Sequence, residues 1–526
     1  MTSASPDLAR RARRFRRVHD VVGGLLVAAW LAVVGSLAVA RFSARANAPD
    51  RPLSELLGKT AETRTFGVYH GESKIGYSAS RRARTPGGWI FADQAVWDMA
   101  LQGSRQHLVA NTEALVSDDF SLKSFKADVD AGMAHIRVDG RVEGNELVLG
   151  FETAGRHVED RQPLPGAIML PALVRPAVAA RSPAPGKSFS FQIFNPMARG
   201  VETIDVAVED RETLHTALGD IETWRIDEIL RGSIKTQVWI DDVGETVREV
   251  SPMGMRIEVE PREMALALPD SSAALPDLIT AVRVPVQGDL PAQIARGRVA
   301  VRLNGIDPKE FPLLGGGRQY LDGNRLTVDS GRTAVPWTLP YVGGDHGPEL
   351  AAEPLVQSSD AEIVSTAKRI VGDTRDAAEA SRRINTWVHD TLVKENSAGV
   401  PSAVEVLRTK RGDCNEHTTL YVALARAAGI PARMAVGVVW ANARGAGPGL
   451  YYHAWPEVYL GRVGTSMPGL GDKAEGWYAV DPTLGQFPAD AGHLRFLVGG
   501  LERQVDLLKL IGHLSVVVDD GHEGAK

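Results

Sequence analysis

Hydrophobic and polar residues alternate with a period of two along most of residues 65–265. Such alternation places every second side chain on one face of a strand, and breaks rich in glycine and asparagine are typical of tight turns. We therefore predict an antiparallel β-rich domain over residues 61–270, with turn signals at His70 and Gly71, at Asp139 and Gly140, and at Gly144 and Asn145. The alternating apolar positions include Phe66, Val68, Ile136, Val138, Val142, Leu147, Leu149, Val238 and Ile240.

Two further segments belong to this β-rich half of the chain. A proline-rich stretch interrupts the alternation, and we expect either a long loop or a boundary between two β lobes there. A shorter β-like segment follows at 282–328, with turns at Asn304 and Gly305, and it predicts a β-rich connector over residues 271–345 that packs beneath the last domain. The interrupting prolines are Pro163, Pro165, Pro171, Pro176, Pro183 and Pro185.

Helical spacing begins after Pro354. Ser359 and Glu362 form a capping-box pattern before an apolar stripe, and a second amphipathic helix follows from about Ala377. Ser402 and Glu405 offer a third cap. The pattern predicts a C-terminal α+β domain over residues 346–526 that opens with helices and ends in strands.

An uncharged run at 21–40 follows a basic N-terminus. Twenty residues of helix are about 30 Å long, which is the thickness of the hydrocarbon core of a bilayer. We expect a cytoplasmic basic segment (1–20), a transmembrane helix (21–40) and a linker (41–60), with the rest of the chain on the far side of the membrane by the positive-inside rule. The basic residues are Arg10, Arg11, Arg13, Arg14, Arg16 and Arg17.

These segments together predict an α+β fold class and a single-pass inner-membrane protein. The fold would consist of an N-terminal transmembrane helix, an antiparallel β-rich middle region and the C-terminal α+β domain, with the bulk facing the periplasm or exterior. A cleaved signal peptide is the alternative, because small residues at 38–40 and 46–48 resemble cleavage sites. The apolar run is longer than the usual core of a signal peptide, which favours an uncleaved helix.

The composition limits the kinds of partner and cofactor that we expect. The 526 residues carry a formal net charge of -6, which provides no basic field for a phosphate backbone, so we expect no nucleic-acid partner. The chain has a single cysteine, Cys414, so neither an intrachain disulfide nor a thiolate metal cluster can form. We expect no cofactor and no metal.

Cys414 lies where a helix is predicted to begin. The segment Gly412, Asp413 and Cys414 leads into an apolar stripe that ends at Gly429 and Pro431. With Asp413 as the N-cap, Cys414 falls in the first turn, where free N–H groups and the helix dipole favour a thiolate. We therefore expect a lowered pKa for this thiol.

Two later strand-like segments supply the other chemical groups. His453 shares a strand face with Trp455 and Glu457, and Pro456 suggests an edge or bulged strand. Asp481 ends the next strand, where its carboxylate can accept from the imidazole and fix the tautomer. Cys414 as nucleophile, His453 as base and Asp481 as orienting group would make a catalytic triad.

At these three places the sequence resembles the transglutaminase-like superfamily of papain-like thiol enzymes. The matching text is GDCNEHTTLYVALARAAGIPAR around Cys414, YYHAWPEVYL around His453 and GWYAVDPTLGQ around Asp481. The resemblance covers about residues 354–498, is strongest to bacterial transglutaminase-like proteins, and leaves the β-rich region uncovered. It implies nucleophile Cys414, general base His453 and orienting Asp481, and a protein or peptide substrate.

Three further residues are given no role in the chemistry. The family uses a second oxyanion donor, often a tryptophan or an amide, but Trp387 fits better as a helix-packing residue. His417 and Glu416 lie close to the cysteine, yet no set of partners with metal-ligand spacing accompanies them.

The sequence leaves the reaction open. Water as acceptor of the acyl group would make a peptidase or amidase, and an amine would make a crosslinking enzyme; we favour hydrolysis because transfer requires a dry acceptor site. The alternative from another class is a non-catalytic envelope binding or scaffolding protein with a relic domain.

Overall fold

The computed structural model describes most of the chain after residue 50. The described residues are 51–57, 61–101, 104–130, 135–153, 156–164, 166–195, 200–232, 234–251, 254–268, 283–331, 337–395, 402–443, 447–461, 476–500 and 505–519.

Fourteen strands of the described chain form one antiparallel sheet. From the first strand the sheet extends through β2 to β8 on one side and through β14 back to β9 on the other, so that β1 pairs with β14 at its middle. Nearly every neighbouring pair is consecutive in sequence, as expected for strands joined by tight turns. The strands are β1 (Glu62–His70), β2 (Ser73–Thr85), β3 (Gly88–Leu101), β4 (Ser104–Val116), β5 (Leu122–Asp130), β6 (His135–Glu143), β7 (Glu146–Thr153), β8 (Arg156–Pro163), β9 (Ser188–Asn195), β10 (Gly200–Thr216), β11 (Gly219–Leu230), β12 (Ile234–Ile240), β13 (Thr246–Val250) and β14 (Met255–Val259).

The proline-rich stretch is neither a long loop nor a boundary between lobes. It forms a 3-10 turn (Pro171–Leu173) and a helix, α2 (Val174–Ala179), which follows the short helix α1 (Leu53–Leu56) in chain order. Side chains of α2 are fully buried in a core shared by strands from both sides of the sheet. The prolines do not prevent this because the turn and α2 are short and have few internal hydrogen bonds to lose.

One predicted turn is wrong. Gly144 and Asn145 do form the turn between β6 and β7, but Gly140 lies inside β6, opposite Phe125 of β5. A β-carbon at Gly140 would lie 2.1 Å from a ring atom of Phe125. The glycine therefore provides space for an aromatic ring and does not mark a turn.

The connector packs against the C-terminal region, and a strand from the end of the chain completes its sheet. Its sheet has the order β15-β25-β16-β18-β17, and its core includes residues of the C-terminal sheet. An ion pair of 2.8 Å between Arg231 and Asp506 also links the large sheet to the C-terminal region. The elements are α3 (Arg262–Leu266), β15 (Val286–Gln287), α4 (Leu290–Ala295), β16 (Arg298–Asn304), a 3-10 turn (Pro308–Glu310), β17 (Gln319–Asp322), β18 (Arg325–Asp329), a 3-10 helix (Val505–Lys509) and β25 (Ser515–Val518).

The C-terminal region places helices on one side of a four-stranded sheet of order β23-β22-β21-β24. The first helix begins one residue later than predicted, because Asp360, not Ser359, is the N-cap that accepts from the Glu362 N–H. The elements are α5 (Ala361–Val371), α6 (Ala377–Thr391), β19 (Val393–Lys394), α7 (Ala403–Thr409), β20 (Arg411–Gly412), α8 (Cys414–Ala427), β21 (Ala432–Ala443), β22 (Gly447–Tyr459), β23 (Trp477–Ala479) and β24 (His493–Val498).

The predicted fold class and localisation require correction. Strand accounts for 49% of the structure and helix for 20%, so the protein is mostly β and not α+β, because the large sheet outweighs the C-terminal helices. No helix among the described residues is long and apolar enough to cross a membrane, so the predicted transmembrane helix and single-pass inner-membrane localisation are not supported. The apolar run 21–40 itself lies outside the described residues.

Candidate functional site

Cys414 begins α8, as the sequence predicts. Asp413 is the N-cap: its carboxylate accepts from the Asn415 N–H at 2.8 Å, and the Glu416 carboxyl accepts from the Asp413 N–H at 2.8 Å. This reciprocal capping box fixes the first turn of the helix. Cys414 is half-buried there, while the side chains from Glu416 to Arg426 are buried between the other helices and the sheet.

The thiol lies against the strand that carries His453. The Cys414 thiol lies close enough to the Ala454 backbone for that backbone to lower the pKa of the thiol, against the larger effect of burial. One turn further along α8, the Thr418 hydroxyl donates to the Ala454 carbonyl at 3.1 Å. These two contacts fix the start of α8 at the position of the predicted base, because Ala454 directly follows His453.

His453 and Asp481 are in direct contact. The Nε2 of His453 lies 2.9 Å from Oδ2 of Asp481. The loop after β23 holds this carboxylate in place: the Leu484 N–H donates to Oδ1 at 2.9 Å, and the backbones of Asp481 and Gln486 exchange two hydrogen bonds. Asp481 is fully buried, so its charge depends on these donors.

Among the described residues, the strand of His453 has a strand on each side only at its C-terminal end. β22 pairs with β21 along residues 447–458, and Glu457, Val458 and Tyr459 pair with β23 on its other side. Pro456 lies just before the residues that β23 pairs with, so its missing N–H leaves no bond of that ladder unmade, and its carbonyl accepts from the Val480 N–H at 3.0 Å. His453 is nevertheless largely buried.

The acidity of the thiol differs from the sequence-based expectation. Burial raises the pKa of Cys414 well above its ordinary value, and the neighbouring Asp413 carboxylate raises it further. The helix N-terminus is outweighed, because loss of water around the sulfur and nearby negative charge both disfavour the thiolate. The resting thiol is therefore protonated at neutral pH.

The pKa of the Asp481 carboxyl is shifted in the opposite direction. Burial opposes the ionisation of Asp481, but His453 and His493 outweigh it and hold the pKa of that carboxyl well below its usual range. Asp481 is therefore ionised at neutral pH and can accept from both imidazoles.

His493 is a residue of this site that the sequence analysis missed. It begins β24, its Nε2 lies 3.0 Å from Oδ2 of Asp481, and its Nδ1 lies 3.1 Å from Oδ1 of Asp490. The Trp455 indole makes an edge-to-face contact with the His493 ring at a centroid distance of 5.1 Å and stacks on the His453 ring at a centroid distance of 6.0 Å. Only the pair of β21 with β24 brings His493 to the site, and nothing local in the sequence marks it.

The three side chains His453, Asp481 and His493 come within 4.8 Å of one another, a spacing that could also surround an ion. Each of the close atoms, however, already takes part in a hydrogen bond of 2.9 or 3.0 Å. The group is therefore a satisfied hydrogen-bonded chain.

The other residues considered from the sequence lie around this chain without joining it. His417 is buried, its Nδ1 lies 2.7 Å from the Asp413 carbonyl, and burial lowers its pKa, so it is neutral. Trp387 packs half-buried against the helical core. Among the described residues, neither side chain hydrogen-bonds to His453, Asp481 or His493.

A cavity of about 250 Å³ lies elsewhere, between α2 and the large sheet. Its half-buried cation, Arg175, is paired with Glu228 at 2.9 Å and Glu249 at 2.8 Å, and none of the predicted triad residues lines the cavity. The predicted nucleophile and the predicted base are at the junction of α8 and β22.

Comparison with known proteins finds a family match in the C-terminal region. Residues 364–482 match the model of the transglutaminase-like superfamily, which confirms the resemblance, and Cys414, His453 and Asp481 all fall inside this match. No curated protein sequence matches the chain.

Two solved structures are similar to parts of the chain. A β-barrel-like protein of a domain family of unknown function from Brucella abortus is 13% identical, with 38% of this chain and 94% of that chain covered and a TM-score of 0.31. A candidate cysteine protease from Cytophaga hutchinsonii is 16% identical, with 42% of this chain and 83% of that chain covered and a TM-score of 0.26. At these TM-scores neither likeness supports a statement about function.

Proposed function

We propose that this chain, whose residues 364–482 belong to the transglutaminase-like superfamily, is a thiol enzyme that acts on amide bonds of protein or peptide substrates. The observation that carries the proposal is the contact of His453 with Asp481 beside the start of α8, where Cys414 lies. The Cys414 thiol lies next to the backbone of Ala454, which directly follows His453, and Nε2 of His453 lies 2.9 Å from Oδ2 of Asp481.

The first half of the reaction forms an acyl-enzyme. Because Nε2 of His453 faces Asp481, Nδ1 is the ring nitrogen left to exchange a proton with the thiol. As Cys414 attacks the amide carbonyl, its proton passes to Nδ1 and a sulfur–carbon bond forms. The imidazolium then protonates the amide nitrogen, the carbon–nitrogen bond breaks, and an amine leaves an acyl-thioester behind.

The raised pKa of Cys414 gives His453 a specific task. A thiol that rests protonated cannot attack until a base removes its proton, so proton transfer accompanies the attack. Asp481 accepts from the imidazole and stabilises the imidazolium that forms.

The second half of the reaction returns the thiol. Water or an amine attacks the thioester and gives a proton to His453, the sulfur–carbon bond breaks to release an acid or a new amide, and the imidazolium returns its proton to the Cys414 sulfur. We favour water, because the sequence offers no indication of a dry acceptor site.

Turnover by purified full-length protein tests this function. Reductively methylated casein, incubated with and without a fluorescent primary amine, separates hydrolysis, detected as new amines or released ammonia, from transfer, detected as bound dye. Cys414→Ala and His453→Ala should each reduce turnover by at least about 10³-fold, because the first removes the proposed nucleophile and the second the proposed base. Asp481→Ala should reduce turnover by a smaller factor, and Asp481→Asn by a smaller factor still.

His107 provides a matched control. Its imidazole contacts Asp98 at 2.9 Å on the large sheet, so His107→Ala removes a similar pair outside the site. Turnover that survives in Cys414→Ala would overturn the proposal. Wild-type protein that converts neither casein nor its glutamine amides would favour the non-catalytic alternative.

A further inference from the structure

His493 contacts Asp481 of the predicted triad and lies between two acidic side chains. It is 3% exposed, and each of its two ring nitrogens faces a different carboxylate. Asp481 lies on the side of His453, and Asp490 lies on the side of the loop that precedes β24. A buried imidazole between two carboxylates has no role in the reaction described so far.

Hydrogen-bond accounting determines the charge of this imidazole. The Asp490 carboxylate accepts from the Gly492 N–H at 2.8 Å and from Nε2 of Gln486 at 2.9 Å, and Asp481 accepts from the Leu484 N–H. An ionised carboxylate only accepts, so both nitrogens of His493 must donate. An imidazole that donates from both nitrogens carries a positive charge.

The pKa shifts of His493 and Asp490 agree with a positively charged His493. Burial opposes the charge of His493, but the hydrogen bonds to Asp481 and Asp490 outweigh it and raise its pKa to about 8. The same ring holds the pKa of Asp490 below its usual range against the effect of burial. Among the described residues, His453 on β22 and Cys414 and His417 on α8 interact with Asp481, and Arg318 interacts with Asp490.

We propose that His493 is a positioning residue of the catalytic site, which donates one ring N–H to Asp481 and the other to Asp490 and thereby holds Asp481 against His453. This inference rests on the proposed function. The same oxygen of Asp481, Oδ2, receives both imidazoles, so His493 limits rotation of the carboxylate. Its positive charge also balances a buried carboxylate that would otherwise depend on His453 alone.

The protonation of His493 can be observed without any substrate. In the ¹⁵N-histidine-labelled full chain at pH 6.5, NMR should show a ring with two slowly exchanging N–H groups that disappears in His493→Gln. A His493 ring with one N–H at that pH would overturn the proposal.

Kinetics test the positioning role. His493→Gln, which keeps one donor and loses the charge, should reduce kcat about tenfold with little change in KM, and His493→Phe should reduce kcat more. In the wild type, kcat should fall above about pH 8, where His493 loses its proton. Asp490→Asn removes one of the two carboxylates, so this fall should move to lower pH, an effect that a packing role would not produce.

The controls separate this inference from the proposed function. His107→Gln should leave kcat and its pH profile unchanged, and Asp490→Asn serves if His493 variants fail to fold. Triad variants that are inactive while His493→Gln keeps the wild-type kcat and pH profile would refute the inference alone. Turnover that persists in Cys414→Ala would refute the proposed function and the positioning role with it, whatever the NMR shows.

Discussion

Replacing Arg495 should destabilise the sheet that carries His453. Arg495 is 2% exposed, and its Nη1 lies 2.8 and 2.9 Å from the two oxygens of Glu457 on β22. Its Nη2 donates to the carbonyls of Leu313, Gly315 and Gly316 in the connector at 2.8 to 3.2 Å. One buried side chain thus ties β24, β22 and the connector together.

The magnitude follows from what Arg495→Met leaves behind. Removing one partner of a buried ion pair costs about 3–5 kcal/mol, because the other charge remains buried. Arg433 still contacts Glu457 at 2.7 Å, which reduces that penalty. The three carbonyls that lose a buried donor add on the order of 1 kcal/mol each. We expect a loss of about 4 kcal/mol in the free energy of unfolding.

Urea denaturation followed by tryptophan fluorescence measures this loss, since Trp455 and Trp477 are buried in the same sheet. The double variant Arg495→Met with Arg433→Met should be less stable than the single variant by at least about 1–2 kcal/mol, because Glu457 then loses both of the arginines that contact it. Arg408→Met, which removes an exposed pair with Glu362, is the control and should cost less than about 1 kcal/mol. A cost below about 1 kcal/mol for Arg495→Met, or no further loss in the double variant, would refute the reasoning.

Three further predictions concern pH, packing and the thiol. The pKa of His493 is raised from 6.5 to about 8, so its protonation stabilises the folded state by about 2 kcal/mol below pH 6.5. This contribution is lost as the pH rises through about 8. Urea denaturation at several pH values should show the loss in the wild type and not in His493→Gln. Gly140→Ala should cost about 1–3 kcal/mol because its β-carbon would overlap the Phe125 ring, and a double variant with Phe125→Leu should recover part of the loss; an unchanged midpoint would contradict the packing. Iodoacetamide labelling of Cys414 should accelerate as pH rises above 8, since its thiol pKa is raised, whereas a rate that is flat from about pH 6 to 8 would indicate a preformed thiolate.

Local sequence determined the elements and the residue types of the candidate site. Alternation with a period of two predicted the strands, and Asp413 with Glu416 predicted the cap that places Cys414 at the start of α8. These signals can be interpreted without the fold because a strand face or a helix cap depends on residues only a few positions apart.

Several outcomes were decided only by contacts between distant parts of the chain. In the sequence Gly140 looks like a turn residue, but the fold places the Phe125 ring opposite it. The proline-rich stretch looks like a loop, but the fold packs its helix α2 into a core formed by strands from both sides of the large sheet. Local periodicity does not specify which face of a strand or turn meets which partner.

The electrostatics of the site also belong to the tertiary structure. A helix N-terminus alone favours a thiolate, but burial and the Asp413 carboxylate reverse that preference at Cys414. His493 gains a role only when β24 pairs with β21 and brings its ring to Asp481. The sequence fixes which groups can ionise, whereas their charges depend on burial and on neighbours that the fold brings within a few ångströms.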